Sequence, residues 1–360
     1  MLVKNSWYIA AYSNEIKREL FARTLVGEPV LMYRKLDGSI AAIADRCSHR
    51  RVSLSRGKLI DDRVQCTYHG LEFNHAGECV RIPGQDAIPQ RACIRSYPVA
   101  EKDGFVWLWP GDASLAADHP VPDYFMRSSP RYEGKTFFTP VKGDYLLAIE
   151  NLLDLTHLPH VHPQAFEADI SNFHPKVKVE ENLITATRTL SDVPNLPMYI
   201  PAMGIDRVDR IQVATFAPGG NLRVDSIIRP VGSDDLSKAL TVYIFVQVTP
   251  ETDTTHFAYT GLYRDFALGN PALTDKLHEE FIEVVLQDTS IIEHQQRNHE
   301  QDGSDVKVID ILVDHASLAA RRIVRRMYEQ EQAQAAPAAL QKKALAILTP
   351  EQAAAGTRLQ

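Results

Sequence analysis

Two short stretches carry the strongest chemical signal in this 360-residue chain. They are Cys47-Ser48-His49 and, sixteen residues further on, Cys66-Thr67-Tyr68-His69-Gly70. Each stretch supplies one thiol and one imidazole, whereas structural zinc sites pair Cys-x2–4-Cys with His-x3–5-His. One Cys and one His per loop suit a two-iron, two-sulfide cluster with both thiolates on one iron and both imidazoles on the other. Neutral imidazole in place of thiolate raises the potential of such a cluster to roughly −150 to +300 mV, which suits a relay for single electrons. The bland alternative is a chance grouping of buried cysteines and satisfied histidines. Four ligand types in order on two loops argue against it. Cys79 and Cys93 have no His at ligand spacing and are expected to be free, buried thiols.

A relay of this kind does not bind oxygen, so an oxidising enzyme needs a second centre. The segment Glu150-Asn151-Leu152-Leu153-Asp154-Leu155-Thr156-His157-Leu158-Pro159-His160-Val161-His162 offers one. On a helix, Glu150, Asn151, Asp154 and His157 are three or four apart and share a face. Leu146, Leu147, Ile149, Leu152, Leu153 and Leu155 cover the other faces, so a helix from Asp144 to Leu158 is expected to be buried, with its polar stripe pointing inward. His157 and His162 are about 140° apart on an ideal helix and can share one ion only if the helix breaks. Pro159 is the expected break. His160, three after His157, is the rival second ligand, and spacing alone does not separate the two. A third ligand comes from a later helix. Leu277, Phe281, Val284, Val285, Ile291 and Ile292 form one apolar stripe with Asp288 at its centre, while Asp275, Glu279, Glu280, Glu283 and Glu293 lie to the sides or back. A lone carboxylate on a buried line is costly unless it coordinates a metal or is otherwise paired. Two His and one Asp make the facial triad of non-haem Fe(II) oxygenases, with positions left open for other ligands.

The elements that must hold these residues are legible from periodicity. The first 110 or so residues alternate apolar and polar positions in short runs broken by Gly, Asp and Pro, such as Pro29-Val30-Leu31-Met32-Tyr33 before Asp37-Gly38. They read as a small antiparallel β domain. Residues 111–123 read as a linker, and residues 207–265 give about four further β runs. Thr274 is the expected cap of a long helix to about Asn298, and a second helix, Ser317 to Gln334, precedes an Ala-rich tail. The resulting expectation is an α+β chain. Residues 1–112 form the cluster domain, 113–335 the catalytic domain, and 336–360 a mobile tail.

Bulk properties exclude several classes. With 44% apolar and 24% charged residues the chain is of ordinary globular composition. Its 39 basic against 46 acidic residues, net −7, argue against a nucleic-acid partner. Arg321, Arg322, Arg325 and Arg326 cluster but read as the solvated face of the late helix. There is no signal-like N-terminus and no apolar run of about 18 residues, so a cytoplasmic location is expected. Four cysteines in a chain of this length do not make a disulfide scaffold.

Taken together these residues resemble the Rieske non-haem iron oxygenases, and the resemblance covers nearly the whole chain. It is strongest to the oxygenase components of vanillate O-demethylase and toluenesulfonate methyl-monooxygenase. Further matching stretches are Asn5-Ser6-Trp7-Tyr8-Ile9-Ala10-Ala11, Ile82-Pro83-Gly84-Gln85, Asn151-Leu152-Leu153-Asp154-Leu155-Thr156-His157 and Glu293-His294-Gln295-Gln296-Arg297-Asn298. The resemblance implies an N-terminal antiparallel Rieske β domain followed by a helix-grip catalytic domain. It places the Rieske [2Fe–2S] cluster on Cys47, His49, Cys66 and His69. It selects His162 over His160 and implies that His157, His162 and Asp288 hold a mononuclear Fe(II). It makes Asp154 a bridging carboxylate that hydrogen-bonds His157 and reaches His69 of a neighbouring subunit, with Asn151 beside it. Such a bridge implies an oligomer, typically a homotrimer. The Leu158-Pro159-His160-Val161 insert departs from the vanillate enzymes and leaves the substrate open.

The expected function is a monooxygenase that hydroxylates a methyl or methoxy carbon of an aromatic acid. Ring dioxygenation is the nearer alternative. A Rieske electron carrier or zinc-stabilised binding module is the alternative from another class, separable by metal content. The chain has no Gly-x-Gly-x-x-Gly, so electrons are expected from a separate NAD(P)H-dependent flavin and iron–sulfur reductase. Pocket residues are expected from the strands between 207 and 265 and the loop after His162, with Arg264 as a candidate cation for the substrate's acid group.

Overall fold

Short apolar runs punctuated by turn residues build the N-terminal part. The structure, a computed structural model, describes residues 1–163, 174–197, 199–303 and 308–345, without the side chains of 236 and 335–345. Ten strands precede residue 110: β1 (Tyr8–Tyr12), β2 (Phe21–Leu25), β3 (Glu28–Arg34), β4 (Ile40–Ala44), β5 (Lys58–Ile60), β6 (Arg63–Gln65), β7 (Glu72–Phe73), β8 (Cys79–Arg81), β9 (Val99–Lys102) and β10 (Phe105–Leu108). They form three small antiparallel sheets, ordered β1-β10-β9, β2-β3-β4 and β5-β6-β7-β8. The β9–β10 hairpin turns at Asp103-Gly104, with φ of 53° and 74°. Both residues sit in the left-handed region that a tight hairpin turn demands, which is why Asp and Gly occupy it.

The second part is a seven-stranded antiparallel sheet. Its strands are β11 (Glu133–Val141), β12 (Lys176–Glu180), β13 (Leu183–Pro194), β14 (Arg207–Ala217), β15 (Asn221–Pro230), β16 (Leu240–Pro250) and β17 (His256–Arg264), in the order β11-β17-β16-β15-β14-β13-β12. The four strands expected between 207 and 265 are present. The sequence reading had not singled out β11, β12 and β13. Period-2 burial sorts the two faces. Ile184, Ala186, Leu190, Val208, Ala214, Leu222, Val224 and Ile228 point to one side, where α1 (Tyr145–Leu153), α4 (Pro271–Asp302) and α5 (His315–Leu345) cover them. A helix laid across an antiparallel sheet in this way is the expected helix-grip arrangement, and the chain is α+β. Between these elements lie two single-turn helices, α2 (Leu158–Val161) and α3 (Ile200–Met203).

On the opposite face, Phe245, Phe257, Tyr259 and Tyr263 meet the N-terminal sheets. Phe105 packs edge-on against Phe245 and Tyr259 at 6.1 and 5.9 Å, and Tyr124 stacks on Phe245 at 4.3 Å. Each such ring, fully buried, stabilises by about 2–3 kcal/mol, so the two parts share one core. Two hydrogen bonds tie the same seam, from Thr249 Oγ1 to the Ile9 carbonyl and from Tyr259 Oη to the Ala10 carbonyl. With both faces covered, every residue of β17 is buried.

Several expectations require correction. The helix from Asp144 stops at Leu153, because Asp154 leaves the helical region (φ −111°, ψ 98°) and its carboxylate caps a 3₁₀ turn, Leu155–His157. The break therefore falls at Asp154, and Pro159 merely occupies the first turn of α2. α4 starts at Pro271 with Asn270 as its cap, and Asn270 Oδ1 accepts from Leu273 N at 3.1 Å. An Asn-Pro pair supplies both the capping oxygen and a preset φ, so it outcompetes Thr274, whose hydroxyl serves Arg264 and Glu133 instead. α5 runs past Gln334 to Leu345, and the remainder of the expected tail, 346–360, lies outside the described residues. Arg321 turns half-buried onto Glu150, with Nη2 2.9 Å from Oε2, so only Arg322, Arg325 and Arg326 keep the solvated role. Cys79 is buried, but Cys93 is exposed.

Candidate metal centres

The four residues expected to hold the cluster stand on two loops with the same backbone turn. The Cys47 N–H donates to the Val52 carbonyl and the Cys47 carbonyl accepts from Arg51. In the same offsets, Cys66 donates to Leu71 and accepts from Gly70. Arg51 and Gly70 both adopt positive φ, 61° and 74°. At Gly70 a side chain would also collide, since a Cβ would sit 2.9 Å from Pro83 Cγ. Cys47 and Cys66 are buried free thiols within hydrogen-bonding reach of each other, while His49 and His69 are exposed with ring centroids 4.5 Å apart. Burial, with Cys66 alongside, pushes the Cys47 thiol above its ordinary pKa. Two sulfurs inside and two imidazoles at the tip match the asymmetric donor set that a [2Fe–2S] cluster of this kind requires.

The second centre is assembled by the break at Asp154. The 3₁₀ turn and α2 rotate His157 and His162 toward Asp288 of α4. The Nε2 atoms of His157 and His162 lie 3.4 and 3.1 Å from Asp288 Oδ1, and the three ligand atoms fall within 4.8 Å of one another. Donors at about 2.1 Å around one first-row ion sit about 3 Å from each other when their bonds are at right angles, so the fit is good. The outer nitrogens are committed elsewhere. His157 Nδ1 donates to the Asp154 carbonyl at 2.6 Å, and His162 Nδ1 donates to Gln287 Oε1 at 2.6 Å. Each ring thus presents Nε2 to the metal position. Burial opposes charge on His162, but its hydrogen bonds to Asp288 and Gln287 and the Asp288 charge outweigh it and raise its pKa. Asn151 Nδ2 donates to Asp288 Oδ1 at 3.1 Å and fixes the carboxylate.

His160 is exposed and outside this group. Glu150 is also outside it, paired with Arg321. The Asp154 carboxylate accepts from Thr156 N and Oγ1, at 2.9 and 2.7 Å. It is therefore the Asp154 main chain, not the carboxylate, that holds His157. Gln287 was missed by sequence reasoning, and its only signal was its position next to Asp288.

His157 and Asp288 open onto a cavity of about 390 Å³. As expected, the strands between 207 and 265 line it, through Gln212, Val224, Ser226, Val242, Ile244, Val246 and Leu262, and α4 adds Leu277, Phe281, Val284 and Val285. Of the loop expected to follow His162, residues 164–173 lie outside the described residues. Arg264 is not at the cavity. It is fully buried and donates to Thr274 Oγ1 and to the Ala267 and Asn270 carbonyls, so it braces the start of α4.

A cluster-binding β domain joined to a helix-grip domain with a His-His-Asp centre defines an iron-dependent oxygenase. Comparison with known proteins agrees. Residues 6–98 match the Rieske [2Fe-2S] domain, and residues 141–330 match the vanillate O-demethylase oxygenase C-terminal domain. The chain is 34% identical to the toluene-4-sulfonate monooxygenase system iron-sulfur subunit of Comamonas testosteroni, covering 94% of this chain and 100% of that one. It is 30% identical to a vanillate O-demethylase oxygenase subunit of Pseudomonas sp., covering 94% and 98%. Dicamba monooxygenase bound to 3,6-dichlorosalicylic acid superposes with a TM-score of 0.83 at 29% identity, over 93% of this chain and 99% of that one. A structure of that enzyme with non-haem iron and dicamba superposes at 0.77. The chain belongs to the Rieske non-haem iron oxygenases, in the branch that carries the vanillate O-demethylase oxygenase C-terminal domain. It is a monooxygenase oxygenase component, an oxidoreductase with a Rieske cluster and a mononuclear iron, and it works with a reductase. Among the described residues no helix is long and apolar enough to cross a membrane.

Proposed function

We propose that the chain monooxygenates an aromatic acid, by O-demethylation or methyl hydroxylation, with the cluster on Cys47, His49, Cys66 and His69 and the Fe(II) on His157, His162 and Asp288. The observation that carries this reading is the meeting of those three ligand atoms at one end of a largely apolar cavity of about 390 Å³, a size that accepts one substituted aromatic ring. When bound, the iron activates dioxygen with electrons that reach it from the cluster. The chain's own part is to orient and enclose. Leu155, Leu158, Val224 and Phe281 exclude water from the ring, Asn151 keeps the Asp288 carboxylate in place, and the Asp154 carbonyl and Gln287 hold the imidazoles. For a methoxy substrate one oxygen atom enters the methyl carbon and the other leaves as water, with two electrons from NAD(P)H. The resulting hemiacetal breaks to phenol and formaldehyde.

The electrons come from a flavin and iron–sulfur reductase. Asp154 bridges to His69 of a neighbouring subunit in a homotrimer, and the protein is cytoplasmic. Support for the bridge is the exposure of His69 and of Tyr68, whose ring lies tilted beside it with centroids 3.7 Å apart. Residues 1–112 act as the cluster unit and 113–335 as the catalytic unit. The test is Asp288→Ala with metal analysis. About three irons and two sulfides per chain are expected in the parent, and the variant should keep the cluster spectrum while losing the third iron and turnover. Turnover in an iron-depleted variant, or zinc in the parent, would refute the assignment.

A further inference from the structure

The cavity wall carries two neutral polar side chains on the sheet, Gln212 and Ser226. β13, β14 and β15 are neighbours in the sheet, and the register sets Arg188 opposite Gln212, Gln212 opposite Ser226, and Arg210 opposite Ile228. Arg188, Arg210, Gln212 and Ser226 therefore share one face of a sheet whose other positions there are Ala186, Leu190, Ala214, Val224 and Ile228. Gln212 and Ser226 line the cavity, and Arg210 lies one position further along β14 on the same face.

Arg210 is 2% exposed, and its Nε and Nη1 have no hydrogen-bond partner; neither does Gln212 Oε1. Tyr199, which also lines the cavity, and Arg188 stand within Coulombic reach of it. A buried guanidinium with idle donors is costly unless an anion completes it. Its planar fork matches the two oxygens of an oxoacid group. The described residues lining the cavity include no Lys or Arg; of its acidic members, Asp288 belongs to the His-His-Asp group, and Glu280 and Glu283 are exposed on α4.

We infer that Arg210, reached past Gln212 of the cavity wall, anchors the carboxylate or sulfonate of the aromatic substrate, and so selects anionic rings and sets which carbon faces the iron. The inference rests on the aromatic-acid reading above and supplies the residue that recognises the acid.

The test is calorimetric titration of holoenzyme with 4-methoxybenzoate, toluene-4-sulfonate and the neutral 4-methoxybenzamide. The parent should bind at least one anion about 10- to 100-fold more tightly than the amide. Which anion is preferred separates carboxylate from sulfonate. Arg210→Gln should lose that preference with amide affinity unchanged, and Arg210→Lys should keep part of it. Equal binding of acid and amide by the parent, no binding of either anion at millimolar concentration, or an Arg210→Gln variant that keeps the preference would each overturn the anchor. The parent comparison holds even if the variants do not fold. Iron content and oxygen uptake in the same samples report on the oxygenase reading separately. Three irons and uptake without anion preference remove only Arg210, whereas anion preference without uptake removes only the oxygenation.

Discussion

His162 Nδ1 lies 2.6 Å from Gln287 Oε1, which joins the proposed ligand on the segment after Asp154 to the residue immediately before the proposed ligand on α4. An amide oxygen can only accept, so the ring must carry its proton on Nδ1 and leave Nε2 free for the ion. Gln287→Leu removes that constraint. The expected result is about 10- to 100-fold weaker iron retention in a chelator competition, with the visible spectrum of the cluster unchanged. Parent-like retention would show that Gln287 has no part in the site.

The two candidate second ligands can be told apart directly. His160 is exposed on α2, whereas His162 is buried against Asp288. His160→Ala should keep the third iron and near-parent turnover, and His162→Ala should lose both. Metal analysis of the two purified variants decides, and the reverse pattern would reassign the triad.

Asp154 has two separable duties. Its carbonyl holds His157 and its carboxylate caps the turn at Thr156, and an Asn at 154 retains both. Asp154→Asn should therefore load both metal centres normally. If the carboxylate also couples subunits, electron delivery in a single-turnover experiment should slow about tenfold or more. Unchanged single-turnover rates would remove the bridging role and leave the cap.

Acid should weaken the fold through His256. Burial lowers its pKa from 6.5 to about 4, although its Nδ1 donates to the Gly143 carbonyl and Glu293 adds a favourable charge. Between those values the unfolded chain takes up a proton that the folded chain refuses. The contribution is thus complete above about pH 6.5 and falls as pH drops toward 4, by at most about 3 kcal/mol. The thermal midpoint of His256→Asn should change less between pH 7 and 5 than that of the parent. Parallel profiles would assign the acid sensitivity to other groups.

Most of the chemistry was legible in one dimension. Cys47, His49, Cys66 and His69 could be proposed as cluster ligands because ligand type and loop spacing are local properties, and Asp288 could be picked out as a charge on an apolar helical stripe. The helix-grip domain was visible as period-2 runs followed by a 3.6-period helix. Residues whose role depends on a distant neighbour were not legible. Asp154 rather than Pro159 breaks the helix, because its carboxylate finds Thr156. Arg264, guessed as a substrate cation, is spent on the start of α4, while Arg210 lies two residues along β14 from Gln212, which lines the cavity. Composition and periodicity specify which elements form and which faces they bury. Which guanidinium is paired, and which is left with idle donors, is settled only when the strands and α4 close against one another, as where Arg264 meets the Glu133 carbonyl 131 residues away. Hydrogen bonding is directional and short-ranged, so it cannot be read before the chain has brought its partners together.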